Sequence, residues 1–300
     1  MYKSSKLIIV ISLVVVFITA IVTVVIISQK CRKNPKIADL SMNTSMNSSM
    51  NSSMNSTLRD SLSPKLNGIK YIITDKKDLI QGNLVKGEQW NNELFQMIKS
   101  ENNTKHFKHL LNVGAHIGTM CLPLSLIIPK ITAIEAYEPT YKDLRNNIKL
   151  NNIRNITTPH IAVGNSSEDI YFNEKTYEDT NRNSGAMQVF TKADILKKER
   201  FSKSISNEFF GRIEKLDNLP IDGFDIMVVD IEGYEYDFLL GAKSKILKNK
   251  PIIIIEIWGN KHRQKLNMKK SLEDVTNLII SFGYKLIGKP MGDDYVFHPL

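Results

Sequence analysis

Leu111-Asn112-Val113-Gly114-Ala115-His116-Ile117-Gly118 is the stretch that decides the fold of this 300-residue chain. An apolar run ends in a glycine turn, and a helix-like stretch follows. In an open α/β sheet such a turn lies outside the carboxyl end of a strand, where ligands bind. Gly114 permits a turn conformation closed to other residues. Ala115 and Gly118 keep the backbone close to a ligand and the helix close to the strand. A dinucleotide fingerprint needs glycine at its first, third and sixth places; counted from Gly114 these are Gly114, His116 and Thr119. The loop therefore fails the NAD pattern. A purely structural tight turn is the competing reading of these residues.

Working outward from the loop, short apolar runs alternate with amphipathic stretches. Strands are predicted at 110–113, 131–137, 156–161, 226–229, 252–257, 284–287 and 295–297. Helices are predicted at 118–128, 141–151, 234–247 and 271–282. This alternation predicts an α/β fold with a mostly parallel seven-stranded sheet covered on both faces. Only Gly288-Lys289-Pro290-Met291-Gly292 separates the last two strands, too short a link for a crossover, so they should form a C-terminal antiparallel hairpin. The polar, weakly periodic stretch 173–212 interrupts the alternation and is placed where an insertion would cover a substrate site.

Carboxylates mark the ends of the predicted strands. Glu138, in Ala136-Tyr137-Glu138-Pro139, lies twenty residues after Gly118, where a strand-tip carboxylate can accept both ribose hydroxyls of a nucleoside. Asp230, Glu232 and Glu235 cluster in Val229-Asp230-Ile231-Glu232-Gly233-Tyr234-Glu235, where a buried strand meets a helix. A carboxylate there can remove the proton of an attacking hydroxyl. Alternatively, Asp230 and Glu232 hold a divalent cation through oxygen ligands, or simply cap the next helix. Glu256 ends an otherwise Ile-rich strand at the same sheet edge, either lining a pocket or satisfied within the core. His116, His160 and His262 have no partner at metal-ligand spacing and read as structural.

The N-terminal part is different in kind. Residues 7–27 are almost continuously apolar, broken only by Ser12, Thr19 and Thr23. That meets the length of roughly 20 residues a helix needs to cross a bilayer. Ser28-Gln29-Lys30 is a poor cleavage site, so a retained single-pass anchor at 1–28 is expected rather than a signal peptide. Residues 29–66 read as a flexible linker rich in Ser, Asn and Met, and the folded domain as 67–300. Lysines flank the span on both sides and four glycosylation-type triplets, at Asn43, Asn47, Asn51 and Asn55, arise from one Met-Asn-Ser-Ser repeat, so the side of the membrane stays open. Lys and Arg number 40 against 31 Asp and Glu, a formal +9. This balance suits an anionic surface, but no aromatic–basic stripe argues for nucleic acid. Two cysteines, Cys31 and Cys121, cannot build a disulfide framework.

Taken together, the motifs resemble the FkbM-type methyltransferases. The correspondence runs through Asn112–Gly118, Ala136–Pro139, the Asn-rich segment after Asn146, Ala162-Val163-Gly164-Asn165, Leu216-Asp217, Val229–Glu235 and Pro251–Glu256. The resemblance implies a Rossmann-like class I methyltransferase domain, which the apolar run 7–27 would precede as one transmembrane helix. It implies S-adenosylmethionine as cofactor, and methylation of a hydroxyl on a sugar or glycan. By motif position Asn112, Gly114, Ala115, Gly118 and Glu138 would bind the cofactor, and Asp230 and Glu232 would be catalytic. Asn112 stands where the family usually has an acid, and Val229 where it often has Lys. The first departure supports an alternative, a catalytically weak or inactive membrane-tethered cofactor-binding module. Another Rossmann enzyme is a third reading, against which the failed NAD pattern counts.

Overall fold

The computed structural model describes residues 62–172, 182–191 and 210–300. The expected membrane span at 7–27 and the linker up to residue 61 lie outside the described residues. Among the described residues no helix is long and apolar enough to cross a membrane. The strands are β1 (His109–Val113), β2 (Lys130–Ile134), β3 (Ile156–Thr157), β4 (Ala162–Val163), β5 (Glu168–Phe172), β6 (Val189–Thr191), β7 (Phe210–Glu214), β8 (Ile226–Val229), β9 (Ile252–Glu256), β10 (Tyr284–Met291) and β11 (Asp294–Pro299). The helices are α1 (Leu79–Lys86), α2 (Asn92–Lys105), α3 (Cys121–Leu124), α4 (Glu138–Leu150), α5 (Glu235–Gly241), α6 (Lys243–Asn249), α7 (Asn260–Lys265) and α8 (Leu272–Ser281).

Seven strands form the main sheet in the order β10-β11-β9-β8-β1-β2-β3. β1 pairs in parallel with β2 and β8, β8 with β9, and β2 with β3. β11 runs antiparallel to β9 and β10, which gives the predicted C-terminal hairpin. All of Ile226–Val229 is buried, as is Ile252–Ile255, because both faces of these central strands are covered. Side chains alternate between two cores: Leu110, Val228, Ile254 and Val296 enter one, Leu111, Met227, Ile253 and Phe297 the other. From β1 the chain builds outward through β2 and β3, then returns to the opposite flank of β1 as β8. The direction of winding reverses between β1 and β8, and a crevice opens at their carboxyl ends.

The register puts the key polar groups in rows. Asn112 pairs with Val228, Val228 with Ile254 and Ile254 with Val296, so these share one row and one face. The next row toward the crevice holds Gly114, Asp230, Glu256 and Asp294; Asp294 pairs directly with Glu256.

Three sequence expectations need correction. The helix predicted at 118–128 shrinks to the single turn α3. Pro123 has no N–H to give the Thr119 carbonyl, which instead accepts the Gln89 side-chain amide at 2.8 Å. The helix predicted at 234–247 divides into α5 and α6 at Ala242 (φ −111°, ψ 0°). Asp217 accepts the Ser244 and Lys245 N–H groups at 3.0 Å each and so caps α6 from outside. The strand predicted at 156–161 is reduced to β3 in the main sheet, and β4, just beyond it, joins a second sheet ordered β4-β7-β5-β6. That sheet rises partly from the stretch read as an insertion, and Ala162, Ile170, Phe172, Met187 and Ile213 form its own core.

The two sheets' elements meet at Gly164 and Gly241. A Cβ on Gly241 would lie 1.8 Å from the Gly164 carbonyl oxygen, so α5 can approach this backbone only without a side chain. Gly241→Ala is expected to destabilise the chain by roughly 1–3 kcal/mol through overpacking. Urea denaturation should show a lower midpoint with an unchanged slope. A midpoint equal to that of the wild type would remove Gly241 as a packing constraint.

Candidate active site

The crevice holds a cavity of about 270 Å³, close to the lower bound of ligand pockets at roughly 300 Å³. Its floor is the loop after β1, with Asn112, Gly114, Ala115 and His116 in the lining. Gly114 has φ +78°, and a Cβ there would lie 1.7 Å from the Asp230 carbonyl oxygen. Only glycine fits, because the loops leaving β1 and β8 run back to back. The Gly114 and Ala115 N–H groups donate to the Ile134 carbonyl at 3.0 and 2.9 Å. Gly118 (φ +96°) is not in the lining; a Cβ there would strike Leu122 and Leu144, so its role is helix packing.

The strand-tip carboxylate is not the expected one. β2 ends at Ile134, three residues before the predicted end, and α4 begins at Glu138 with Pro139 in its first turn. Glu138 therefore sits on the surface of a helix, paired with Lys142 at 2.8 Å, and does not line the cavity. That bond holds its carboxyl below the usual range. Glu135 takes the buried position at the strand tip. It accepts the His116 N–H at 2.7 Å, the Tyr137 N–H at 2.9 Å and the Thr140 hydroxyl at 2.9 Å. Burial raises its pKa, and these bonds oppose the rise. The sequence reading missed Glu135; a lone acid inside an apolar run was the available signal.

The loop is also latched from the far side. His116 Nε2 meets the Ser184 hydroxyl at 2.7 Å, and the Ser184 N–H donates to Asp78 Oδ2 at 2.8 Å. Asp78 Oδ1 meanwhile caps α1 by accepting the Ile80 and Gln81 N–H groups. Residues 183–185 thus lie over the cavity that His116 lines. The second sheet's Met187 and Val189, with Trp90 and Leu94, add an apolar wall.

The carboxylates converge as the sequence implied, and with more members. Asp230, Glu232, Glu256 and Asp294 all line the cavity. Asp230, Glu232 and Glu256 each offer an oxygen, and those oxygens lie within 4.8 Å of one another. Asp230 and Glu256 share a side-chain hydrogen bond, which requires a proton between them. Burial, then the charges of Asp230 and Glu232, push Glu256 up to about 11. Burial also raises Asp230 and Glu232. Asp294 rises to about 7, again chiefly by burial. Glu235 points elsewhere: it accepts the Gly233 N–H at 2.7 Å and lies 3.5 Å from the buried Arg263 guanidinium. Burial lifts it to about 7, and it braces the turn rather than lining the cavity. Asp294 went unread because its significance depends on the hairpin register.

A cationic cofactor suits this lining. Asn112 is 2% exposed, and its Oδ1 has no hydrogen-bond partner, as has His116 Nδ1. An unpaired acceptor beside several carboxylates matches a ligand bearing ammonium and sulfonium charges better than it matches a pyrophosphate.

The family model "Methyltransferase FkbM domain" matches residues 112–286. No curated protein matches the chain. Among solved structures, an FkbM methyltransferase from Methylobacillus flagellatus KT is similar at 16% identity and a TM-score of 0.45, covering 83% of this chain and 59% of its own. This chain thus spans less than two thirds of that protein. Trm5b from Pyrococcus abyssi is similar at 14% identity and a TM-score of 0.41, covering 79% of this chain and 54% of its own. TYW2 from M. jannaschii, solved in complex with AdoMet, is similar at 14% identity and a TM-score of 0.39, covering 80% and 87%.

The latch has a pH signature. Loss of water around the His116 ring lowers its pKa from 6.5 to about 4. Between these values the unfolded chain binds a proton that the folded chain does not, so this group's share of stability falls as pH drops through the window. His116→Asn removes that titration while keeping a residue type that tolerates the φ of 51°. Urea midpoints taken from about pH 7 down to about pH 4.5 should fall more steeply in the wild type. Parallel curves would reject the assignment.

Proposed function

We propose that this chain, which belongs to the FkbM methyltransferase family, uses S-adenosylmethionine to methylate a hydroxyl of a sugar or glycan. The observation that carries the reading is the meeting, in one cavity, of a glycine loop and a buried carboxylate cluster. Family membership supports an S-adenosylmethionine-dependent methyltransferase; the hydroxyl and its sugar are our inference from the donor set.

When bound, the cofactor supplies a methyl group on a positively charged sulfur. Asn112, Gly114 and Ala115 would hold it, with Asn112 Oδ1 free to accept from its ammonium end. Carboxylates nearby favour the charged cofactor over the neutral thioether left after transfer. Methylating a hydroxyl requires its proton to leave as the oxygen attacks. Asp230 or Glu232 takes that proton; a carboxylate with a raised pKa is the stronger base. The buried surround excludes water, which would compete as acceptor. The apolar wall of Trp90, Leu94 and Met187 suits the non-polar face of a sugar ring.

We further propose that residues 7–27 tether this domain to a membrane. Their almost continuously apolar length supports this. Extraction of the expressed chain with alkaline carbonate should leave it in the membrane fraction; release into the supernatant would refute the anchor.

The enzymatic reading is tested by calorimetric titration of the full-length chain with S-adenosylmethionine, with NAD as control. Binding of the first and not the second is expected. Asp230→Asn should keep cofactor affinity within a few-fold and lower turnover on a glycan panel by about 100-fold or more. A wild-type chain that ignores the cofactor at millimolar concentration would end this reading.

A further inference from the structure

Between Glu256 and Glu273 the chain carries five Lys or Arg residues and no Asp or Glu. This arm leaves the carboxyl end of β9, beside the cavity, and runs through α7 to the start of α8. Lys261 and Lys265 are four residues apart on α7 and so share one face, where like charges repel. Both are exposed, as are Lys269 and Lys270 in the turn that follows. Lys270 lies over the Tyr236 ring at 4.3 Å. Among the described residues Lys261, Lys265 and Lys269 have no ion pair, whereas Lys142, Lys245, Lys248 and Lys289 each have one. The acids that follow, Glu273 and Asp274, accept from the Asn260 amide and the Ser271 N–H instead.

The packing holds these lysines together and next to the cavity. Arg263 is buried at the root of the arm. Its guanidinium lies 3.5 Å from Glu235 on α5, and its Nε donates to the Lys270 carbonyl at 2.7 Å. The turn bearing Lys269 and Lys270 is thereby drawn back against α7. Met268, whose N–H donates to the Arg263 carbonyl at 2.9 Å, packs with Trp258 on Gly233. A Cβ on Gly233 would lie 2.7 Å from Met268 Cε and 3.3 Å from the Trp258 ring. Gly233 separates Glu232 from Tyr234, both of which line the cavity. The half-buried Trp258 also meets the His262 ring at an edge, with centroids 4.6 Å apart. A cationic surface and an aromatic ring thus stand at the rim of a cavity lined by Asp230, Glu232, Glu256 and Asp294.

We propose that this surface, carried by Lys261, Lys265 and Lys269, binds the carboxylate, sulfate or phosphate groups of an acidic glycan. The separation of charge sets the orientation of that glycan. Its anionic groups are repelled by the carboxylates within the cavity and attracted by the lysines outside it. A neutral hydroxyl therefore enters while the charged substituents stay at the rim. Trp258 offers an apolar face to a sugar ring beside them. A single Trp–His pair is not the row of stacking platforms that a single-stranded nucleic acid uses. That the bound glycan is the methyl acceptor rests on the methyltransferase reading; its binding to the lysines does not.

The test uses the full-length chain in detergent and a matched pair of probes, an oligogalacturonate and its uncharged methyl ester. The acidic form should bind with an affinity that falls as salt is raised, and the ester should not bind. Lys261→Glu, Lys265→Glu and Lys269→Glu combined in one variant should weaken binding by at least about tenfold. The three Lys→Ala changes, which remove charge without reversing it, should weaken it in the same direction and by less. Lys105→Glu, Lys108→Glu and Lys130→Glu make the same change of net charge at exposed positions by the amino end of the sheet. That control should stay within about twofold of the wild type, because charges so far away are screened. Circular dichroism reports whether each variant is folded. Failure of both oligogalacturonate and a heparin oligosaccharide to bind at millimolar concentration, or equal losses in the two charge-reversed variants, overturns the surface. So does an RNA oligonucleotide of equal charge that binds more tightly than either glycan. A titration with S-adenosylmethionine separates this proposal from the enzymatic reading. Cofactor binding without glycan binding overturns the surface alone; glycan binding without cofactor binding leaves the surface and ends its role in methyl transfer.

Discussion

The structure turns on the approach of two loops at one point. A Cβ on Gly114 would lie 1.7 Å from the Asp230 carbonyl oxygen, and the Asp230 N–H donates to the Val113 carbonyl at 3.0 Å. The loops leaving β1 and β8 are thereby held against each other where the winding of the sheet reverses. This contact decides what the crevice contains. The β1 loop brings backbone and an unpaired amide oxygen; the β8 loop brings acids. Separating them by even a methyl group would take the glycine turn away from the carboxylates, and neither is a site alone.

Burial makes that arrangement expensive and therefore informative. Asp230 and Glu256 must share a proton to sit side by side, and Glu232 adjoins them from a left-handed backbone conformation (φ 54°). Such conformations in non-glycine residues persist where the surrounding structure determines them. Glu235 shows the contrast. It came from the same run of acids in the sequence, yet it has Arg263 and a backbone N–H to satisfy it. Asp230, Glu232 and Glu256, by contrast, face the cavity.

Much of this was legible in the chain. Ile226–Val229 and Ile252–Glu256 read as buried parallel strands because nothing polar interrupts their apolar runs. The hairpin followed from a link too short for any crossover. What failed did so for local reasons. Pro123 cannot donate to Thr119, so a helical periodicity yielded one turn. The second sheet has strands of two, three and five residues, and its pairing joins segments far apart in sequence, a pattern that local periodicity does not encode. At the ribose position the motif pointed to Glu138, but the early end of β2 turned Glu138 onto the helix surface and left Glu135 at the strand tip. A three-residue error in a strand end thus exchanged one acid for another of the same chemistry.

Asn112 gains a meaning from its row. An acid there, as the resembled family usually has, would place another negative charge on the face already occupied by Asp230, Glu256 and Asp294. In so buried a setting a further carboxylate adds repulsion and desolvation together. An asparagine keeps an oxygen acceptor at the same place without the charge. In this chain the departure from the family pattern therefore relieves the acidic cluster while leaving Oδ1 available to a cationic ligand.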